Sequence, residues 1–71
     1  MITKTSGLAG IAYWINQHYG LIGTPDEVQK RDKMVVTIKE WVDAEYENGR
    51  QNAISTHELE QMITELSEGR L

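Results

Sequence analysis

Cysteine is missing from all 71 residues, which excludes a disulfide framework, thiolate zinc sites and cysteine nucleophiles together and fits a reducing compartment. Long apolar runs are missing as well. Nothing approaches the roughly 20 residues that span a bilayer as a helix, and Met1-Ile2-Thr3-Lys4-Thr5 leads into no signal-peptide core. A cytoplasmic location, without a membrane partner, is the expectation. Positive charge is scarce: seven Lys and Arg stand against eleven Asp and Glu, a net charge of −4, which repels a phosphate backbone and disfavours nucleic-acid partners. The local exception is Lys30, Arg31 and Lys33, read as a solvated helix turn that could meet an anionic group such as a cofactor phosphate. Length sets the last limit. A chain this short forms one domain, buries only about 60% of its unfolded surface and has little stability to spare for a strained catalytic site.

What the chain does have is helical periodicity, in three segments bracketed by start and stop signals. The fold class expected is all-α, a small bundle of three main helices at about 6–19, 33–48 and 56–68, with a short extra helix at 25–30. In the first segment Ser6 is placed to cap, Leu8, Ile11, Ala12, Ile15 and Tyr19 fall on one stripe, and Gly20 ends the helix. Thr24-Pro25-Asp26-Glu27 combines a cap, a first-turn proline and a capping-box glutamate, but Val28 is the only apolar residue before Met34, so a break is expected there. Asp32 can cap the next helix, in which Val35, Ile38, Val42 and Tyr46 form a row widened by Met34 and Trp41. Asn48-Gly49 stops it. Ser55-Thr56-His57-Glu58 is a capping box between Ile54 and Leu59, which stand at the two positions of a hydrophobic staple. Leu59, Met62, Ile63 and Leu66 then repeat at helical spacing until Gly69. No alternating strand pattern competes.

Chemistry is sparse. His18 and His57 have no metal-ligand spacing, so no metal site is expected in the chain. The carboxylates fall on faces expected to be wet, where nothing shifts their pKa values for acid–base work. Ser6 and Ser55 are explained by capping, and there is no nucleophile elbow or phosphate-binding glycine loop. No catalytic residue is therefore assigned. The aromatic set is more informative: Tyr13, Trp14, Tyr19, Trp41 and Tyr46 all carry a polar group, and there is no phenylalanine. Tyr13 and Trp14 lie off the stripe of the first helix, which is apolar around much of its circumference and suited to a second surface. The competing reading buries that helix centrally between the other two.

Ser6-Gly7-Leu8-Ala9-Gly10-Ile11-Ala12-Tyr13-Trp14-Ile15-Asn16, then Ile38-Lys39-Glu40-Trp41-Val42, then Ile54-Ser55-Thr56-His57-Glu58-Leu59 together resemble a helical segment of known enzymes. It is the segment that follows the catalytic barrel in 2-isopropylmalate synthases and homocitrate synthases, of the DRE-TIM metallolyase type. The Ser-Gly start and the Ser-x-x-Glu-Leu cap match both ends of the family pattern. Many members place Arg-His-Ala after the Ser-Gly, where Leu8-Ala9-Gly10 stand here, so no role of that Arg or His carries over.

The resemblance implies part of an acyltransferase that condenses acetyl-CoA with a 2-oxo acid, with a divalent metal and the bond-making residues in a barrel that precedes this segment. It implies that the segment packs on the barrel of its own chain and on that of a dimer mate. The interface residues expected are Tyr13 and Trp14, and Ser6 and Gly7, at a helix N-terminus, are the positions suited to an anionic substrate or cofactor. The alternative reading is a free-standing helical module that binds a partner helix or homodimerises. A helix-turn-helix DNA reader is disfavoured, because the last helix carries Glu58, Glu60, Glu65 and Glu68.

Overall fold

A computed structural model describes residues 1–71 as three helices, α1 (Leu8–His18), α2 (Lys33–Glu47) and α3 (Thr56–Leu66). The all-α bundle expected from periodicity is the fold found. Ile11, Ala12 and Ile15 of α1, Val35, Ile38 and Val42 of α2, and Leu59 and Ile63 of α3 form one buried cluster, each set falling at helical spacing on its own element. Leu66, the last member of the α3 row, turns outward and is exposed.

Each helix ends in the same way. After α1 the Leu21 N–H donates to the Asn16 carbonyl at 2.7 Å and the Gly20 N–H to that of Gln17, with Gly20 at φ +68°. After α2 the Arg50 N–H reaches Glu45 and the Gly49 N–H reaches Tyr46, with Gly49 at φ +99°. Both are Schellman closures in which glycine takes the left-handed position. At α3 the pattern recurs one residue earlier than expected: Glu68, not Gly69, is the first left-handed residue, at φ +57°, while the Gly69 N–H donates to Thr64.

Helix starts differ from expectation at two places. The N-cap of α1 is Gly7, with no side-chain cap; the Ser6 hydroxyl instead accepts from the Thr3 N–H at 3.0 Å, closing a Thr3–Ser6 turn. The extra helix at 25–30 is not formed. Its start signals are spent on one isolated turn, with Thr24 Oγ1 accepting from the Asp26 N–H and Glu27 Oε2 accepting from the Gly23 N–H. Val28 then leaves helical bonding altogether. Its N–H donates to Asn16 Oδ1 at 2.7 Å and its carbonyl accepts from Asn16 Nδ2 at 2.8 Å, so one side-chain amide takes both groups a helix would have used. By contrast, Asp32 caps α2 as expected, accepting from the Met34 N–H at 2.8 Å, and residues 24–48 therefore contain one helix. Ser55 and Glu58 form the full reciprocal capping box of α3, with Ile54 and Leu59 both buried beside it.

The N-terminal residues belong to the core. Ile2 pairs antiparallel with Ile54, whose N–H donates to the Ile2 carbonyl at 3.0 Å, and both side chains lie in the buried cluster. This strap carries the chain across the α2–α3 connection before it turns into α1.

Candidate functional site

The strap and the outer face of α1 bound a groove of about 410 Å³ lined by Met1, Ile2, Ser6, Gly10, Tyr13, Trp14, Gln17 and His18. Three of the four residues singled out from sequence, Ser6, Tyr13 and Trp14, thus meet on one surface. Gly7 stands at its head as the α1 N-cap. Tyr13 is 59% exposed, whereas Trp14 is half-buried and packs partly on the core. α1 is not buried centrally between the other two helices, since Ala9, Gly10, Tyr13 and Gln17 all face solvent.

Trp14 is held from behind. Its ring stacks on His18 at 4.5 Å with 15° between planes, and His18 Nε2 lies 3.0 Å from Glu60 Oε2 on α3. Tyr19 meets the same imidazole edge-on at 4.9 Å; burial, and secondarily the Glu60 charge, push its phenol pKa up. The chain Glu60–His18–Trp14 therefore fixes one wall of the groove to a second helix.

The strongest electrostatic feature lies away from the groove. Arg50 uses all five of its N–H donors: Nη1 on Glu45 and Glu58, Nη2 on Glu58 and the Ala53 carbonyl, and Nε on the Asn52 carbonyl. The paired bonds to Glu58 measure 2.8 and 2.7 Å, a bidentate fork. They hold the Glu58 carboxyl at a pKa of about 2, with further help from the Ser55 N–H and hydroxyl, and push the Arg50 guanidinium above its ordinary value. With every donor engaged, Arg50 clamps α2, the connection and α3 together. The basic knot is simpler: Lys30, Arg31 and Lys33 are all exposed around the start of α2.

Over 63 residues, 89% of its length, the chain is 52% identical to the citrate (Re)-synthase of Syntrophus aciditrophicus. It is 40% identical over 65 residues to the citrate (Re)-synthase of Clostridium kluyveri and 32% identical over 62 residues to the 2-phosphinomethylmalate synthase of Streptomyces hygroscopicus. The chain is homologous to one segment of the DRE-TIM metallolyase-type synthases. The family resemblance read from the sequence is the one the homologues bear out, although these relatives carry names other than 2-isopropylmalate or homocitrate synthase. The segment spans 10%, 14% and 13% of the respective synthases. No family model and no solved structure matches it.

A metal ion, which the synthase family implies, does not fit the side chains of this segment. No three of its His, Asp and Glu residues converge as ligands, and the His18–Glu60 pair stands without a third. No helix is long and apolar enough to cross a membrane. The residues that sequence reasoning missed around the synthase segment's groove are Met1, Ile2, Gly10, Gln17 and His18. Of these, Gln17 and His18 were foreseeable, since they continue the Gly10, Tyr13 and Trp14 face at helical spacing. The strap residues were not, because nothing local in Met1-Ile2 says which loop they will pair with.

Proposed function

We propose that this segment is a helical accessory domain, C-terminal to the catalytic barrel, of an acetyl-CoA-dependent synthase that joins an acetyl group to a 2-oxo acid. The observation that carries this reading is the outer face of α1. From Leu8 to Gln17 the helix has no charged residue, yet it exposes Tyr13 and borders an open groove, an arrangement suited to lasting cover by another protein surface. In the proposed assembly Tyr13 and Trp14 contact the barrel of the same chain or that of a dimer mate. Ser6 and Gly7 lie nearest an anionic substrate or cofactor. The segment closes over the barrel, excludes water and contributes binding rather than bond-making groups. The divalent metal and the catalytic residues belong to the barrel. The relatives' names favour citrate, or a close analogue, as the product.

A segment swap tests this. Placing these 71 residues in the citrate (Re)-synthase of Syntrophus aciditrophicus, in exchange for its homologous segment, should preserve citrate formation, while the 71-residue chain alone forms none. Replacing Trp14 with Ala in the hybrid should weaken subunit assembly or raise the substrate KM. A folded hybrid without activity, or a Trp14→Ala hybrid indistinguishable from its parent, would refute the accessory role.

A further inference from the structure

The charges that this domain leaves unpaired gather on one face. Its ion pairs are His18–Glu60, Lys39–Asp43, Arg50–Glu45 and Arg50–Glu58, and none of them lines the cleft of about 910 Å³ between residues 25–34 and the end of α3. That cleft shares no lining residue with the α1 groove. Its two banks differ in sign. Along 25–34 the carboxylates of Glu27 and Asp32 are committed to the Gly23 and Met34 N–H groups, which leaves Asp26 against Lys30, Arg31 and Lys33, a positive balance. Lys30 and Arg31 stand exposed on the turn between the lining residues Val28 and Asp32. On the α3 bank Arg70 Nε donates to the Ser67 carbonyl, so Glu65 and Glu68 are the free charges and the balance is negative. The floor between the banks is apolar. Val28 and Met34 are half-buried there, and Leu66, the last member of the α3 row, is 38% exposed.

We infer that this cleft is a contact between two copies of the chain, in which Lys30 and Arg31 of one copy pair with Glu65 and Glu68 of the other around Leu66. A partner of a single charge sign would be drawn to one bank and repelled by the other. A second copy carries both banks, and a two-fold axis through the floor reverses their order, so each basic turn meets an acidic helix end and the two Leu66 side chains pack at the centre. The rest of the surface offers a second copy no such match. The chain carries a net charge of −4, and Lys4 is the one Lys or Arg without an ion pair that lies off this face, so approach from other sides sets acidic surface against acidic surface. The contact is independent of the accessory-domain reading, because it uses only these 71 residues.

Sedimentation equilibrium of the 71-residue chain tests it. Dimers should form and dissociate on dilution, with a dissociation constant at least tenfold higher at high salt than at low salt. The double variants Lys30→Glu with Arg31→Glu, and Glu65→Lys with Glu68→Lys, each place like charges on both banks. Each should dimerise at least tenfold more weakly alone, while an equal mixture of the two forms a heterodimer because opposite signs then face each other again. All four positions are exposed, and circular-dichroism melts check that the variants fold. If a reversal unfolds the chain, the milder pair Lys30→Gln with Arg31→Gln decides: a weaker dimer supports the contact and parental affinity overturns it. A parent chain that stays monomeric at low salt overturns the inference and leaves the accessory role standing. So does a dimer that both folded reversals leave at parental affinity, or a mixture of the two that stays monomeric.

Discussion

Asn16 shows how much of the fold one side chain can decide. It lies on the buried side of α1, 6% exposed, and its amide imitates a backbone partner by bonding both the N–H and the carbonyl of Val28. An amide is the only common side chain that offers a donor and an acceptor side by side, so even an isosteric carboxylate fails here. Asn16→Asp keeps the shape, loses the donor to the Val28 carbonyl and places a charge in its stead. It should cost about 1–3 kcal/mol in urea unfolding, with the Val28 amide losing hydrogen-exchange protection ahead of the helices. Unchanged exchange at Val28 would mean that the loop is held by something else. Glu68 makes a complementary point at the same scale: its φ of +57° is a conformation that a side chain resists, and the two bonds of the α3 closure hold it there.

At the scale of the elements, the sequence was most legible where local chemistry acts within a few residues. The apolar rows of α1, α2 and α3, the Asp32 cap and the Ser55–Glu58 box all depend on spacing along one helix, and all are found apart from the outward-turned Leu66 at the end of the α3 row. Legibility failed where a local signal met a distant competitor. Thr24-Pro25-Asp26-Glu27 is a sound helix start, but Asn16, twelve residues before Val28, diverts the backbone that would have continued it. Arg50 gathers acceptors from α2, the connection and α3, a convergence set by tertiary structure that no local spacing reveals. The groove was legible to the same degree: its α1 wall follows from helical spacing, its strap wall does not. The Arg50–Glu58 fork also carries a pH dependence. Its carboxyl, ordinarily near 4.5, is lowered to about 2 in the folded chain, so the unfolded state takes up the proton first as the solution is acidified. Stability from this group is therefore fully present above pH 4.5 and is lost as pH falls from 4.5 towards 2. Glu58→Gln should lower stability at neutral pH and flatten the loss over that window. An unaltered acid limb in the variant would mean that other carboxylates govern acid unfolding.

For the whole molecule, the strap turns a bundle into a closed unit. Ile2 is 2% exposed and joins the α2–α3 connection through Ile54, so the residues preceding α1 are tied to a connection beyond α2. A domain of 71 residues has a total stability of about 4–11 kcal/mol. A buried isoleucine cut back to alanine costs about 2–5 kcal/mol, a large share of that total. Because the core is one cluster shared by all three helices, the loss should not stay at the N-terminus. Ile2→Ala should lower the urea midpoint of the whole domain, with the helical circular-dichroism signal and the fluorescence of Trp14 and Trp41 still changing together. Should the helices melt as in the parent while only the groove-side Trp14 signal changes, the strap would be a separable flap. The same residue lines the groove beside Gly10 and Trp14, so a single cooperative transition would also mean that the groove is as rigid as the core behind it.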